Sequence, residues 1–210
     1  MKPGYDAFSL FRIWFMAPVQ LVVHPHPILR YKAKQIARVD KELKDIIAEM
    51  FKIMYTSRGV GLAANQVALP IRLFVCNPSG VQEEGPEMVF LNPVISKQRG
   101  VDEAEEGCLS LPGVNAGVKR SKSVWINAYD ISGKEIDTEV NGYLARIIQH
   151  EVDHLDGVMF IDRLSPESVK GLIQPLDTLL EDFSSRQRTG SLPSNEELMA
   201  AVPEWENKYC

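Results

Sequence analysis

Two stretches of the chain repeat apolar residues at the spacing of an amphipathic helix. The first covers residues 40–55, with Asp40 as a candidate cap and Gly59 beyond its end. Its apolar face comprises Leu43, Ile46, Ile47, Met50 and Met54. The second covers residues 142–156 and lies between Asn141, a candidate cap, and Gly157, a candidate stop signal. The pattern therefore predicts two amphipathic helices.

Alternating apolar and polar positions predict β-strands in the middle of the chain. These stretches are residues 72–76, 88–90, 92–95, 124–129 and 135–140. Residues 130–134 are turn material that joins the last two stretches as a hairpin, and the acidic residues 101–106 are predicted to be a solvated loop. We therefore predict an α+β fold in which mixed, mostly antiparallel sheets pack around a central helix over residues 142–156.

Composition divides the chain into three parts. Residues 1–15 show no clear periodicity and are predicted to be an N-terminal extension ahead of a main domain over residues 16–183. Residues 184–210 are rich in Ser, Glu, Asn and Pro, which predicts a polar, flexible tail with a short helix near residues 196–201. Ser165 and Pro166 suit a helix start, and Pro175 is expected to break or kink whatever follows.

The overall composition is that of an ordinary globular protein, since 45% of the 210 residues are hydrophobic and 24% are charged. A formal net charge of −5, with Lys and Arg scattered along the chain, argues against nucleic-acid binding as the main function. No apolar run reaches the roughly 18 residues needed to span a membrane. Cys76, Cys108 and Cys210 are too widely spaced for a disulfide framework, so we expect a reducing compartment, the cytoplasm.

The second helix carries the pattern His150-Glu151-x-x-His154. Histidines four residues apart project from nearly the same helix face, so both imidazoles can reach one metal ion. Glu151 lies beside them and can hydrogen-bond a water molecule at that ion. The alternative is a chance match on a surface helix. Two histidines do not make a tight site, so the hypothesis requires a further ligand elsewhere in the chain.

Cys108 is the candidate for that third ligand, because a cysteine after a glycine in a loop can present a thiolate. A thiolate and two imidazoles would leave one coordination position open for water. The spacing alone, however, favours a small buried free cysteine over a ligand. A run of small residues that ends in two amides, residues 59–66, lets the backbone come close to a neighbouring element or to a ligand.

Three motifs together resemble those of the peptide deformylases, in the order and at about the spacing of that family. They are Gly59-Val60-Gly61-Leu62-Ala63-Ala64-Asn65-Gln66, Glu106-Gly107-Cys108-Leu109-Ser110 and Gln149-His150-Glu151-Val152-Asp153-His154-Leu155. The resemblance covers roughly residues 16–175 and implies that residues 16–183 are a catalytic domain. It implies removal of formate from the N-terminal formyl-methionine of newly made polypeptides, a hydrolase reaction.

The resemblance also assigns residues to roles. The metal ligands are Cys108, His150 and His154, and the usual metal is Fe²⁺, with Zn²⁺, Ni²⁺ and Co²⁺ also accepted. Glu151 transfers the proton of the attacking water. The Gln66 side-chain amide and the Leu109 backbone N–H stabilise the oxyanion.

The expected substrate is an N-formylmethionyl nascent peptide, added as a strand alongside Val60, Gly61 and Gly107, with Ile147 lining an apolar methionine pocket. This substrate implies a place near the ribosomal exit tunnel, with no direct nucleic-acid site and no membrane contact. Asp153 either supports a ligand by pairing with Arg120 or faces solvent. One position departs from the family pattern, because Asn115 stands where members often carry an arginine.

Two other functions remain as alternatives. A zinc endopeptidase also uses His-Glu-x-x-His, but its third ligand usually follows the helix, where this chain offers no histidine and only glutamates such as Glu167 and Glu181. A structural or regulatory metal-binding protein would not need Glu151. The presence of Glu151 and Gln66 together with the glycine-rich run favours an enzyme.

Overall fold

The computed structural model describes residues 19–210, so the predicted extension over residues 1–15 lies outside the described residues. Seven strands form within this part of the chain: β1 (Gly61–Ala63), β2 (Leu73–Cys76), β3 (Met88–Arg99), β4 (Asp102–Cys108), β5 (Leu111–Arg120), β6 (Ser123–Tyr129) and β7 (Glu135–Asn141). The α-helices are α1 (Lys41–Thr56), α2 (Gly142–Leu155), α3 (Pro166–Lys170), α4 (Ile173–Arg188), α5 (Asn195–Met199) and α6 (Val202–Tyr209). Short 3₁₀ helices cover Pro27–Arg30, Ala64–Val67 and Phe160–Arg163. None of the helices in residues 19–210 is long and apolar enough to cross a membrane.

Five strands form one antiparallel sheet in the order β1-β2-β3-β6-β7, which leaves β1 and β7 at its edges. The expected break after residue 90 is instead a bulge within the single strand β3. Asn92 adopts a positive φ of 53° at the bulge, and its side-chain amide bonds both backbone groups of Ile36, at 2.7 and 2.9 Å. The bulge therefore attaches the segment before α1 to the sheet.

Helices α1 and α2 pack on this sheet and form the core. In α1, Asp40 caps the first turn by accepting the Leu43 N–H at 2.9 Å, as predicted. Helix α2 is largely buried and shares an apolar cluster with residues of β1, β2, β3 and β6. Gly157 lies just beyond the end of α2 with a φ of 73°, and a Cβ there would lie 2.6 Å from the Arg30 carbonyl oxygen. The predicted α+β class with antiparallel sheets is confirmed.

The predicted solvated loop at residues 101–106 is wrong, because most of these residues belong to β4, which pairs with β5 in a separate two-stranded sheet. Strand alternation explains the error. Asp102, Glu103 and Glu105 are exposed, as acidic residues usually are, whereas Glu106 is only 7% exposed. A carboxylate that points inward is compatible with a strand when buried cations receive it.

The C-terminal predictions also require correction. The helical run that begins at Pro166 is interrupted between Lys170 and Ile173, and Pro175 occupies the first turn of α4, where backbone N–H groups have no partner within the helix, so α4 continues past it. Residues 184–210 form the end of α4 and two further helices rather than a flexible tail, and α5 (Asn195–Met199) overlaps the short helix predicted near residues 196–201. The Tyr209 side chain is 1% exposed within the core cluster of α1, and its carbonyl accepts the Ala37 N–H at 2.7 Å. The burial of the Tyr209 ring thus attaches residues 184–210 to the core, although the average composition of this segment is polar.

Candidate metal centre and active site

Three side chains from two elements converge at one point. His150 and His154 lie one turn apart on α2, and Cys108 is at the end of β4. The His154 Nε2 atom is 3.2 Å from both His150 Nε2 and Cys108 Sγ. All three donor atoms lie within 4.8 Å of one another, whereas neither Glu167 nor Glu181 belongs to this group. The third donor therefore comes from upstream of the helix.

This arrangement has the dimensions of a tetrahedral metal site. Ligand nitrogens about 2.05 Å from a tetrahedral ion lie about 3.4 Å apart, and a thiolate sulfur lies about 3.5 Å from each of them. The observed separations of 3.2 Å agree with these values to a few tenths of an ångström. Three protein donors leave the fourth position open, which is the arrangement of a catalytic rather than a structural site.

Glu106 orients the first histidine. Its Oε2 atom lies 3.0 Å from His150 Nδ1, which directs Nε2 toward the other two donors. The same carboxylate accepts Arg120 Nε at 2.7 Å, Arg120 Nη2 at 2.8 Å and Arg146 Nη1 at 2.7 Å. Burial alone would raise the pKa of Glu106, but the hydrogen bonds from Arg120 and His150 lower it far below its ordinary value. Glu106 is therefore a buried anion at any physiological pH.

The charge network extends from Glu106 to the surface. Arg120 also donates from Nη1 to Asp153 Oδ2 at 2.6 Å, so Asp153 pairs with Arg120 rather than facing solvent. Arg163 donates to both oxygens of Asp153 and is itself 43% exposed at its side chain. An alternating chain of charges thus connects His150 to solvent through Glu106, Arg120, Asp153 and Arg163.

Glu151 is buried beside the three donors and has an open carboxylate oxygen. Its side chain packs against Gly61, where an added Cβ would lie 2.4 Å from Glu151 Oε1. The Oε2 atom has no hydrogen-bond partner among residues 19–210. Burial raises the pKa of Glu151 to about 7 in the metal-free protein. The group can therefore exchange a proton near neutral pH, as a general acid–base residue must.

Gln66 approaches the same point from the 3₁₀ helix Ala64–Val67. Its Oε1 accepts the Ala63 N–H at 2.9 Å, which directs Nε2 toward Cys108 Sγ at 3.5 Å and Ser110 Oγ at 3.3 Å. Leu109 directly follows Cys108, so its N–H lies one peptide from the thiolate. The structure thus brings Gln66 to the metal centre, while the oxyanion role of both residues stays a prediction.

One extended segment joins the loops that carry these groups. The Val22 N–H donates to the Gln66 carbonyl at 2.8 Å, and the His24 N–H donates to the Ser110 carbonyl at 2.9 Å. Two backbone hydrogen bonds therefore hold the glutamine and cysteine loops at a fixed spacing, although they come from distant parts of the chain.

The residues predicted to bind substrate lie around this centre. Gly61 is on β1, whose outer edge has no strand beside it in the described sheet, and Val60 directly precedes it. Gly107 is on β4, opposite Asn115 of β5, and a Cβ on Gly107 would lie 2.4 Å from Asn115 Oδ1. Ile147 is one turn before His150 on α2 and only 4% exposed. Their contact with a substrate stays a prediction.

Sequence reasoning overlooked the roles of Glu106 and Arg146. Both were hidden by average composition, since Glu106 stands in an acidic run and Arg146 in an amphipathic helix. A signal was nevertheless present. In a strand, Glu106 and Cys108 must share one face, so a ligand at Cys108 implies an inward carboxylate two residues earlier.

Known proteins resemble this chain over most of its length. The family model described as polypeptide deformylase matches residues 18–170. A peptide deformylase of Rhodopirellula baltica is 47% identical over 192 residues, which cover 91% of this chain and 96% of the relative. Peptide deformylase 1B of Arabidopsis thaliana, named as chloroplastic or mitochondrial, is 41% identical over 189 residues, which cover 90% of this chain and 68% of the relative.

Solved structures give the same result. A crystal structure of a plant peptide deformylase of the 1B type superposes with a TM-score of 0.80 at 41% identity, covering 86% of this chain and 97% of that one. The peptide deformylase of Plasmodium falciparum superposes with a TM-score of 0.77 at 38% identity, covering 79% of this chain and 98% of that one.

Proposed function

This chain belongs to the peptide deformylase family, and from that premise we propose which of its residues carry out the reaction. The enzyme is a metal-dependent hydrolase that acts on N-formylmethionyl peptides, producing formate and a free N-terminal methionine. The observation that carries the assignment of residues is the convergence of Cys108, His150 and His154 beside the buried carboxylate of Glu151.

Cys108, His150 and His154 would hold one divalent metal ion, which we propose is Fe²⁺. The separations of the donors and the orientation of His150 by Glu106 fit such an ion. A thiolate with two imidazoles also accepts Zn²⁺, Ni²⁺ or Co²⁺, so the choice of iron rests on the family resemblance. When bound, the metal supplies Lewis acidity that lets water act as a nucleophile near neutral pH.

Glu151 is the proton-transfer residue of the proposal. It takes the proton of the attacking water and later delivers it to the departing methionine amine, so one carboxylate serves as base and then as acid. Its burial beside the three donors and its open Oε2 atom support both steps. Gln66 Nε2 and the Leu109 N–H would donate to the oxygen that becomes negative in the transition state.

The substrate would bind as an added strand at the edge of β1. Main-chain hydrogen bonds from Val60, Gly61 and Gly107 hold any peptide regardless of its side chains, which suits an enzyme that meets many nascent chains. Ile147 would line the methionine pocket. Work near the ribosomal exit tunnel and in the cytoplasm is part of the same proposal, supported by the nature of the substrate and by three free cysteines in the described structure.

Formate release from a formyl-Met dipeptide tests the proposal. The protein is purified without oxygen, its metal content is measured, and the unformylated dipeptide serves as blank. Glu151→Gln should keep its metal and lose at least about a hundredfold in kcat, because it can no longer accept the proton. Glu181→Gln, an exposed change on α4, is the matched control and should behave as wild type. Full activity of a metal-loaded Glu151→Gln protein would refute the role of this residue.

A further inference from the structure

Strand β1, which the substrate is proposed to join, has one buried end and one open end. Beyond β1, the residues from Ala63 to Gln66 are at most 1% exposed, and Gln66 reaches the metal centre there. Before β1, Val60 is half-buried and Arg58 is exposed. A peptide whose formyl group lies at the metal centre therefore leaves the site toward Arg58.

Arg58 occupies a position that usually belongs to glycine. Helix α1 ends at Thr56, and Arg58 follows with a φ of 60°, in the left-handed region where L side chains are strained. Its N–H donates to the Tyr55 carbonyl at 2.9 Å, and the Gly59 N–H donates to the Met54 carbonyl at 2.8 Å. Backbone hydrogen bonds close this turn, so the turn does not depend on the arginine side chain, and glycine would suit it better.

The Arg58 guanidinium is a cation without a carboxylate partner in the described part of the chain. No Asp or Glu oxygen of residues 19–210 lies within 4.0 Å of its nitrogens. The loop over residues 77–87 packs against the same strand, since the Asn77 N–H donates to the Val60 carbonyl at 2.9 Å. The glutamates of this loop all lie beyond the 4.0 Å distance from Arg58. The positive charge is therefore available to a peptide that leaves along β1.

Strand geometry indicates which part of the peptide passes this charge. An added strand advances about 3.3 Å per residue, in step with the strand beside it. With the formyl group beside Gly61 and the methionine beside Val60, the second residue lies beside Gly59 and the third beside Arg58. Side chains opposite each other on adjacent strands lie close enough to interact. The third residue of the nascent chain is therefore the one whose charge Arg58 meets.

We propose that Arg58 is a specificity-determining residue that favours nascent chains with an acidic side chain at the third position. This inference rests on the proposed function, in which the substrate joins β1, and concerns the same site. The guanidinium attracts an Asp or Glu carboxylate of the substrate and repels a Lys or Arg side chain, whereas the main-chain contacts along β1 are indifferent to side chains. Because the pair is exposed to solvent, we expect an effect of about two- to fivefold on kcat/KM that salt weakens.

Formate release from three tripeptide amides tests the proposal at low ionic strength. They are formyl-Met-Ala-Asp amide, formyl-Met-Ala-Asn amide and formyl-Met-Ala-Lys amide. The amide removes the C-terminal carboxylate, which would otherwise be a second anion for Arg58. The full-length, metal-loaded protein should have a kcat/KM about two- to fivefold higher for the Asp peptide than for the Asn peptide, and the Lys peptide should be the slowest. Each ratio compares substrates on one enzyme preparation, so differences in metal content cancel.

Three variants assign the preference to its side chain. Arg58→Gly should abolish the difference between the Asp and Asn peptides without lowering Tm, because glycine suits the positive φ. Arg58→Glu should reverse the order and make the Lys peptide the fastest. Lys134→Gln is the matched control, because Lys134 is an exposed cation that directly precedes β7 at the opposite edge of the sheet. This control should keep the wild-type ratios.

The outcomes separate this inference from the function on which it rests. If metal-loaded wild type releases no formate from any of the three peptides, the proposed function itself is contradicted. Formate release with equal kcat/KM for the Asp and Asn peptides would overturn the role of Arg58 alone and leave its charge as a partner of the carbonyl end of α1. A preference for the Asp peptide that persists in Arg58→Gly would overturn the proposal as well.

Discussion

Glu106→Gln is the most informative single change at the metal centre, because it removes one charge and leaves the shape of the side chain intact. The carboxylate receives three hydrogen bonds from Arg120 and Arg146 and lies against His150 Nδ1. Glutamine offers one acceptor where the carboxylate offers two, and its amide group would face donors.

Glu106→Gln should lower two quantities that can be measured separately, the folding stability of the metal-free protein and the affinity for the metal. Removing one partner of a buried ion pair costs about 3–5 kcal/mol, and since Arg120 keeps Asp153 we expect about 3 kcal/mol in the metal-free protein. In a chain of this size that loss lowers Tm by about 6–12 °C. Losing the group that orients a ligating histidine lowers metal affinity about 10–100-fold. Because each tenfold change is worth about 1.4 kcal/mol, metal should stabilise the variant by about 1.4–2.7 kcal/mol less than it stabilises wild type.

Urea unfolding with and without Zn²⁺, combined with chelator competition, measures both parts. Glu105→Gln is the matched control, since it changes the neighbouring residue of β4, which is exposed. The control should stay within about 0.5 kcal/mol of wild type. If Glu106→Gln matches Glu105→Gln in both metal affinity and stability, the reasoning about the buried charge is wrong.

Three further changes test other contacts. Gly61→Ala should displace Glu151 and lower kcat at least tenfold, since its Cβ would lie 2.4 Å from the carboxylate, while Gly171→Ala, with 3.6 Å of room, should be silent in the same formate assay. Gln66→Glu should lower kcat about a hundredfold, or about 3 kcal/mol of barrier, because it keeps the acceptor and loses the donor; an unchanged rate would exclude the oxyanion role. Tyr209→Ala should cost about 3 kcal/mol by thermal unfolding, as for a buried aromatic, whereas a flexible tail predicts no change. Finally, metal-free folded protein keeps the Glu151 proton up to a pKa of about 7, whereas the unfolded chain releases it near 4.5, so the contribution of Glu151 to the free energy of unfolding should fall as pH rises between those values. The lowered pKa values of His24, His26 and His154 act in the opposite direction, so the Glu151 contribution is measured as the difference between wild type and Glu151→Gln across this pH range.

Local features were predictable from the sequence because their causes are local. The helix periodicity and the i,i+4 histidines lie within single turns, so α1 and α2 were correctly placed. The partner of His150 was not predictable in the same way. Glu106 lies 44 positions away, and its burial depends on Arg120 and Arg146, which reach it only after two strands and a helix have packed.

The prediction of a flexible tail over residues 184–210 was wrong for a related reason. Its average composition is polar, and the prediction of flexibility rests on that average. The free energy that attaches the segment to the core, however, comes from a few buried side chains such as Val202 and Tyr209, each less than 10% exposed. Salt bridges from Lys34 to Glu206 and from Lys208 to Glu42, both 2.6 Å, add to the attachment. The average hydrophobicity of the segment does not reveal two apolar side chains that are buried in the core.

The return of α6 to the segment before α1 has a consequence for synthesis. Ala37 bonds to Tyr209, so the cluster around Ile36 and Leu43 stays open until residue 209 has left the ribosome. An enzyme whose substrates are unfinished chains therefore completes its own core only after translation has passed that point. Any segment that follows residue 210 would begin two positions beyond the buried ring of Tyr209, so a flexible spacer there should decide whether a fused protein lets α6 dock.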